Sequence, residues 1–296
     1  MNLNGKLSDI LDNLIFCVES SLISQGEKGE IIAKLILINA IDNCVNLSRD
    51  NKNQFSQFSK ITSVGHFIQS LYGKCLENCG NDQNNWTCKS LDKTCCIKMV
   101  NKQIGKKAKF LLDGLINFNH FTKPDSYMNH VNLISALKRS AAISCKLHQK
   151  AIDFVIPVTM DRNNFDSISI VMVQVKLENK PTEPTATTAL HGISPKMFKN
   201  LSANVPYLML FMQLGGEDAY VNDIKSHKGT KRQELDKQAI IYSQGISEKI
   251  FPNLKGKIDE KLQAFSLADR KLFKADSGNE KSKIYNVLRY SLRKNK

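Results

Sequence analysis

A chain of 296 residues, 42% hydrophobic and 24% charged, has a globular composition and the length for one large domain or two modest ones. Its formal net charge of +14 favours a polyanionic partner: nucleic acid, an anionic membrane surface or an acidic protein. No uninterrupted apolar run is long enough to span a bilayer, and "MNLNGKLSDILDNLIFCVES" has scattered acids and no long apolar core, which argues against a signal peptide. The expectation is a soluble intracellular protein, with the nucleus among its compartments and no membrane partner.

The first half reads as helical. "KGEIIAKLILINAIDNCVNL" places apolar residues at 31, 32, 35, 36 and 38, a broad helical stripe. "ITSVGHFIQSLYGKCLE" follows in the same way, with Ser63 as a candidate cap. "GKKAKFLLDGLINFNHF" and "DSYMNHVNLISALKRSAAISC" continue the helical part. Between them lies a cysteine-rich loop, "CLENCGNDQNNWTCKSLDKTCC". Cys75, Cys79, Cys88 and Cys95 have the ligand chemistry for a structural zinc, although three residues separate the first pair where a compact knuckle prefers two. Disulfides and unlinked thiols are the other readings. In a reducing compartment most of the eight cysteines are expected to be free.

At residue 151 the pattern changes. "AIDFVIPV" and "SISIVMVQVK" are β-branched and apolar, and "TMDRNNFD" between them is turn chemistry, so a hairpin is expected. A Pro- and Thr-rich loop follows. "SPKMFKNL" reads as a helix capped by Ser194, "VPYLMLFMQLGG" as a buried strand and "AIIYSQG" as one more strand. The implied core is a small mixed sheet with a right-handed crossover helix. Three regions result: a mainly helical part over 1–145 that could include the first core helix, an α/β core over 146–255, and a basic helical tail over 256–296.

The hairpin carries the chemistry. Residues two apart on a strand share a face, so Gln174 and Lys176 point the same way, joined by Glu178 if the strand continues. A turn centred between Asn163 and Asn164 pairs Asp153 with Gln174; a centre one residue on pairs it with Lys176. Asp161 and Asp166 fall at the other end, roughly 25 Å away at about 3.3 Å per residue. A carboxylate and an amide oxygen are hard ligands suited to Mg²⁺ or Mn²⁺. A neighbouring lysine can orient a water or neutralise charge developing on a phosphate. The plainer alternative is a strand-edge ion pair between Asp153 and Lys176.

The order Asp153, hairpin, Gln174-x-Lys176, helix and strand resembles the PD-(D/E)XK nuclease superfamily with its restriction-endonuclease-like fold. That resemblance implies Asp153 as metal ligand, Gln174 at the second acidic position, where glutamine is a known substitute, and Lys176 as the motif lysine. "FLLDGLINFNHF", "AIDFVIPV" and "ISIVMVQVKLENK" are also similar, over roughly residues 28 to 215, to a group of fungal proteins whose function is presumed from such a core. The superfamily usually adds a glutamate from a helix before the sheet. "MNHVNLISALKRSAAISC" has none, so Glu30 in "KGEIIAKLI" is the substitute, both catalytic and metal-binding, although a first-turn glutamate also suits the helix dipole. Ile152 precedes Asp153, so the usual Pro-Asp pair is missing.

Elsewhere the signals are thinner. Lys228, Lys231 and Arg232 in "HKGTKR", and Arg289, Arg293 and Lys294 in the terminal "LRYSLRKNK", are candidate phosphate contacts, with Tyr285 and Tyr290 placed to stack on bases. His120 and His148 are candidate bases with ready structural explanations. The expected function is Mg²⁺-dependent hydrolysis of DNA, with RNA as the other polyanion and a dimer compatible. The alternatives are a nuclease-like protein that binds nucleic acid without cutting it, and a protein-interaction effector with a basic surface.

Overall fold

The computed structural model describes residues 12–17, 23, 25–48, 61–72, 79–82, 85–88, 109–124, 128–145, 152–161, 168–177, 206–215, 220–223, 238–248, 250–254, 262 and 265. Helix α1 (Gln25–Ser48) realises the first apolar stripe. It buries Ile32, Ala33, Ile36, Leu37, Ala40 and Ile41 against the sheet side of the molecule. Helix α2 (Val64–Tyr72) begins where expected: the Ser63 hydroxyl accepts the His66 N–H at 3.2 Å, which satisfies one of the free donors of the first turn.

The core is a mixed sheet of nine strands. In order across it lie β1 (Thr62–Ser63), β4 (Leu115–Ile116), β7 (Phe154–Thr159), β8 (Ile168–Lys176), β9 (Tyr207–Gln213), β11 (Gln238–Gln244) and β10 (Tyr220–Asp223). Strand β5 (His120–Thr122) pairs with β6 (Ala141–Ser144), which pairs with the first half of β7. Strands β8, β9 and β11 are parallel, and β7 runs against β8. A separate two-stranded sheet joins β2 (Cys79–Asp82) and β3 (Asn85–Cys88). Two further helices are α3 (Lys109–Asp113) and α4 (His130–Lys138).

The sheet is larger than the small one expected, because two stretches read as helix are strands. In "LINFNHF" the apolar residues Ile116 and Phe118 are fully buried and alternate with asparagines, the period of a strand. "AAISC" has alanines that favour helix in isolation. However, Ser140 turns into the left-handed region at φ 53 and ends α4, after which residues 141–144 are buried throughout in β6. That tertiary burial overrides propensity. Strand β10 had no counterpart among the expected elements.

Two apolar clusters sandwich the sheet. Phe154, Ile156 and Val158 of β7, Val171 and Val173 of β8, and Leu208, Leu210 and Met212 of β9 face α1 and α2. The alternate residues Val155, Ile170, Met172, Met209, Phe211 and Tyr242 face α4. Pro157 is tolerated in the middle of β7 for a register reason. Cys145 N–H bonds to Asp153 C=O, so odd residues of β7 turn their main chain toward β6, and the last β6–β7 pair is Ile143 with Val155. The N–H that proline lacks falls just beyond that ladder.

Gly114 marks a close crossing. A Cβ there would lie 2.5 Å from Val158 Cγ1 and 3.0 Å from both Leu111 O and Met160 Sδ. Gly114→Ala is expected to destabilise the fold by about 1–3 kcal/mol, the usual cost of overpacking. A lower urea midpoint with an unchanged m-value would register it; an unchanged midpoint would contradict the crossing.

Candidate active site

The site lies at the carboxyl end of β8, where β7 begins and the N-terminal turns of α1 pass over. Residues Phe154 and Val173 form the last β7–β8 pair. Carried one step further, that register sets Asp153 opposite Gln174, the first of the two arrangements considered from the turn. Asp153 itself sits at a bend before β7. Its N–H donates to Val173 O at 2.9 Å, its carbonyl accepts from Cys145 N–H at 2.8 Å, and its carboxylate accepts from Val175 N–H at 2.6 Å. The carboxylate thus occupies the gap between β7 and β8, beside the residue that separates Gln174 from Lys176.

Gln174 and Lys176 fall on the α4 side, since Val173 and Val175 belong to or pack against the cluster facing α1. Glu30 comes from α1. Its neighbour Gly29 permits the approach: a Cβ there would lie 3.3 Å from Leu177 Cβ and 3.5 Å from Val175 Cγ1. Glu30 forms an ion pair with Lys34 one turn on, at 3.6 Å. The Lys34 ammonium lies 5.1 Å from the ring centre of Phe154 and 5.8 Å from that of Phe121.

The electrostatics follow from this crowding. Burial pushes the Asp153 carboxyl up to about 6; the Val175 N–H opposes that, Glu30 adds to it, and Lys176 and Lys34 oppose it. Burial also pushes the Cys145 thiol up to about 12, with the Asp153 and Glu30 carboxylates adding to the effect. Cys145 is a buried free thiol, and its surroundings favour the neutral form.

The donor set fits a hard divalent cation. Gln174 is 4% exposed, and its Oε1 is buried without a hydrogen-bond donor among the described residues. A buried amide oxygen left without a donor is costly, and a cation would satisfy it. The Glu30 carboxylate raises the proton affinity of Asp153, and a cation beside Asp153 would offset that repulsion. Among the described residues no cluster of three or more His, Cys, Asp or Glu is placed to hold a metal, so the set would be two carboxylates and one amide.

Four candidates, Asp153, Gln174, Lys176 and Glu30, therefore lie around one sheet end. Lys34 was missed; its signal was the i, i+4 spacing from Glu30 on the same helix. Of the histidines, His120 is exposed beside Asn119, and His148 lies outside the described residues. Glu178, Asp166, Lys228, Lys231, Arg232, Tyr285, Arg289, Tyr290, Arg293 and Lys294 also lie outside them, as do the helix expected over 194–201 and all of the tail except Leu262 and Phe265, which are buried in the cluster facing α1. Cys79 and Cys88 are main-chain register partners across β2 and β3, whereas Cys75 and Cys95 fall outside the described residues. No described helix is long and apolar enough to cross a membrane. No family model, curated protein or solved structure matches this chain.

Proposed function

We propose that this chain is a divalent-metal-dependent nuclease of the PD-(D/E)XK type that hydrolyses phosphodiester bonds in DNA. The observation that carries the proposal is the pinned Asp153 carboxylate, set opposite Gln174 with Lys176 and Glu30 close enough to shift its titration. The element order supports the same fold type: a helix bearing Glu30, an antiparallel pair bearing Asp153 and Gln174-x-Lys176, then a parallel strand.

Asp153 would hold Mg²⁺ or Mn²⁺, joined at the sheet end by Glu30 from the α1 side and by the Gln174 Oε1 from the α4 side. When bound, the cation supplies charge neutralisation and a water of lowered pKa at the scissile phosphorus. The chain's own contribution is placement. Two backbone hydrogen bonds and the Val175 N–H on its carboxylate fix Asp153, so the carboxylate does not have to reorganise during the reaction. The Lys176 ammonium would lie against the negative charge that grows on the phosphate oxygens. The net charge of +14 supplies long-range attraction to the nucleic-acid backbone, which should weaken steeply with salt.

Gln174 favours one second reading. An amide at the second acidic position leaves one negative charge fewer on the metal, which suits a protein that binds nucleic acid without cutting it. Gln174→Glu discriminates. In the nuclease reading it should lower the Mg²⁺ concentration for half-maximal plasmid nicking by about tenfold, for one added ligand charge. Nicking that EDTA does not stop, or no nicking by either protein with Mg²⁺ or Mn²⁺, would remove the nuclease reading.

A further inference from the structure

The Lys34 ammonium is held in an unusual way for a helix surface lysine. Its side chain is only 31% exposed, as is that of Glu30, its partner at 3.6 Å. A pair at this spacing can form with both groups turned to water. Here the ammonium instead rests over two aromatic faces, Phe154 of β7 and Phe121 of β5. Phe154 directly follows Asp153 in the chain, and the ammonium held over its ring is near enough for its charge, like that of Glu30, to act on the Asp153 carboxylate.

Formal charges explain why it is there. Glu30 and Asp153 bring two negative charges; Lys34 and Lys176 bring two positive ones. The four groups are balanced without a metal. A divalent cation adds a charge of two, which matches the dianion that forms when hydroxide adds to a phosphodiester. A cation that recruits the Glu30 carboxylate must also release the Lys34 ammonium from it. The released charge would remain over Phe154, free to meet a phosphate bound at this sheet end.

We infer that Lys34 is a second phosphate-facing cation of this site, paired with Glu30 while no metal is bound and transferred to a substrate phosphate oxygen when a metal takes that carboxylate. This inference rests on the nuclease reading. It makes Lys34 a competitor of the metal in the free protein and a partner of the substrate in the complex. A lysine present only to steady α1 would be neither.

Two variants test it. Lys34→Met keeps an unbranched stem on the rings and removes the charge; Lys34→Arg keeps the charge. Mn²⁺ binding, read from the electron paramagnetic resonance signal of the free ion, should be about tenfold tighter in Lys34→Met than in wild type, because the ammonium paired with the Glu30 carboxylate at 3.6 Å no longer competes for it. Plasmid cleavage at saturating Mn²⁺ should nevertheless be at least about tenfold slower, and Lys34→Arg should recover most of it. Circular dichroism confirms folding in each case. If wild type cleaves and Lys34→Met matches its saturated rate, or if Mn²⁺ affinity is unchanged, this inference fails and the nuclease reading stands. If wild type does not cleave at all, the nuclease reading fails and takes the substrate role of Lys34 with it.

Discussion

Asp153→Asn is expected to abolish cleavage and, at pH 7, to raise the stability of the metal-free protein. Both effects come from one carboxylate. The asparagine Oδ1 can still accept the Val175 N–H that Asp153 accepts at 2.6 Å, so the bend before β7 should persist. The negative charge on the metal is lost, and the amide supplies a much weaker ligand. The stability gain follows from the direction of the pKa shift. Burial, with Glu30, holds the folded carboxyl at about 6, above its ordinary 3.8. Between those values the folded protein keeps a proton that the unfolded chain has released. The stability tied to that proton is complete below about pH 4 and is lost as pH rises through 6. At about 1.4 kcal/mol per pKa unit, discounted for partial exposure, the loss is about 2 kcal/mol. Urea unfolding of both proteins at pH 4 and pH 7 checks this. The Asn variant should be the more stable at pH 7, with the gap closing at pH 4; equal stabilities at pH 7 would contradict the buried-charge account.

Lys176→Met should slow cleavage by about 10²-fold or more while leaving metal affinity within a few-fold of wild type. The magnitude is that of removing one preorganised charge donor from a developing oxyanion. The structural cost should be small, because Lys176 is the last residue of β8 and only half-buried, and methionine keeps most of its stem. Single-turnover rates at saturating Mn²⁺ separate the chemical step from binding. A variant that cuts at the wild-type rate would mean that Lys176 serves only as a charge partner for Asp153.

Much of the site was legible because strands are periodic. The alternation in "SISIVMVQVK" placed Gln174 and Lys176 on a shared face, and the asparagines of the turn left two registers open, of which β7 and β8 follow the first. Glu30 needed more. Nothing local says that a helix more than a hundred residues upstream returns to the end of β8; the small Gly29, which lets α1 approach Val175 and Leu177, becomes meaningful only in three dimensions. The bend at Asp153 was equally hidden, since it depends on Cys145, just past β6, and on Val175 of β8. The misread elements share a cause. "AAIS" is helical by propensity and a strand by burial, and the asparagines of "LINFNHF" masked its period of two. Lys34 was passed over because an i, i+4 ion pair on a helix usually signifies nothing beyond the helix.

The most direct test places wild type and Asp153→Asn side by side on supercoiled plasmid with Mn²⁺, with DNA binding measured on the same preparations by fluorescence anisotropy. The account predicts nicked or linear plasmid from wild type, intact plasmid from Asp153→Asn, and equal DNA affinity for both. Intact plasmid with both proteins, or equal cleavage by both, would contradict a metal-dependent nuclease centred on Asp153.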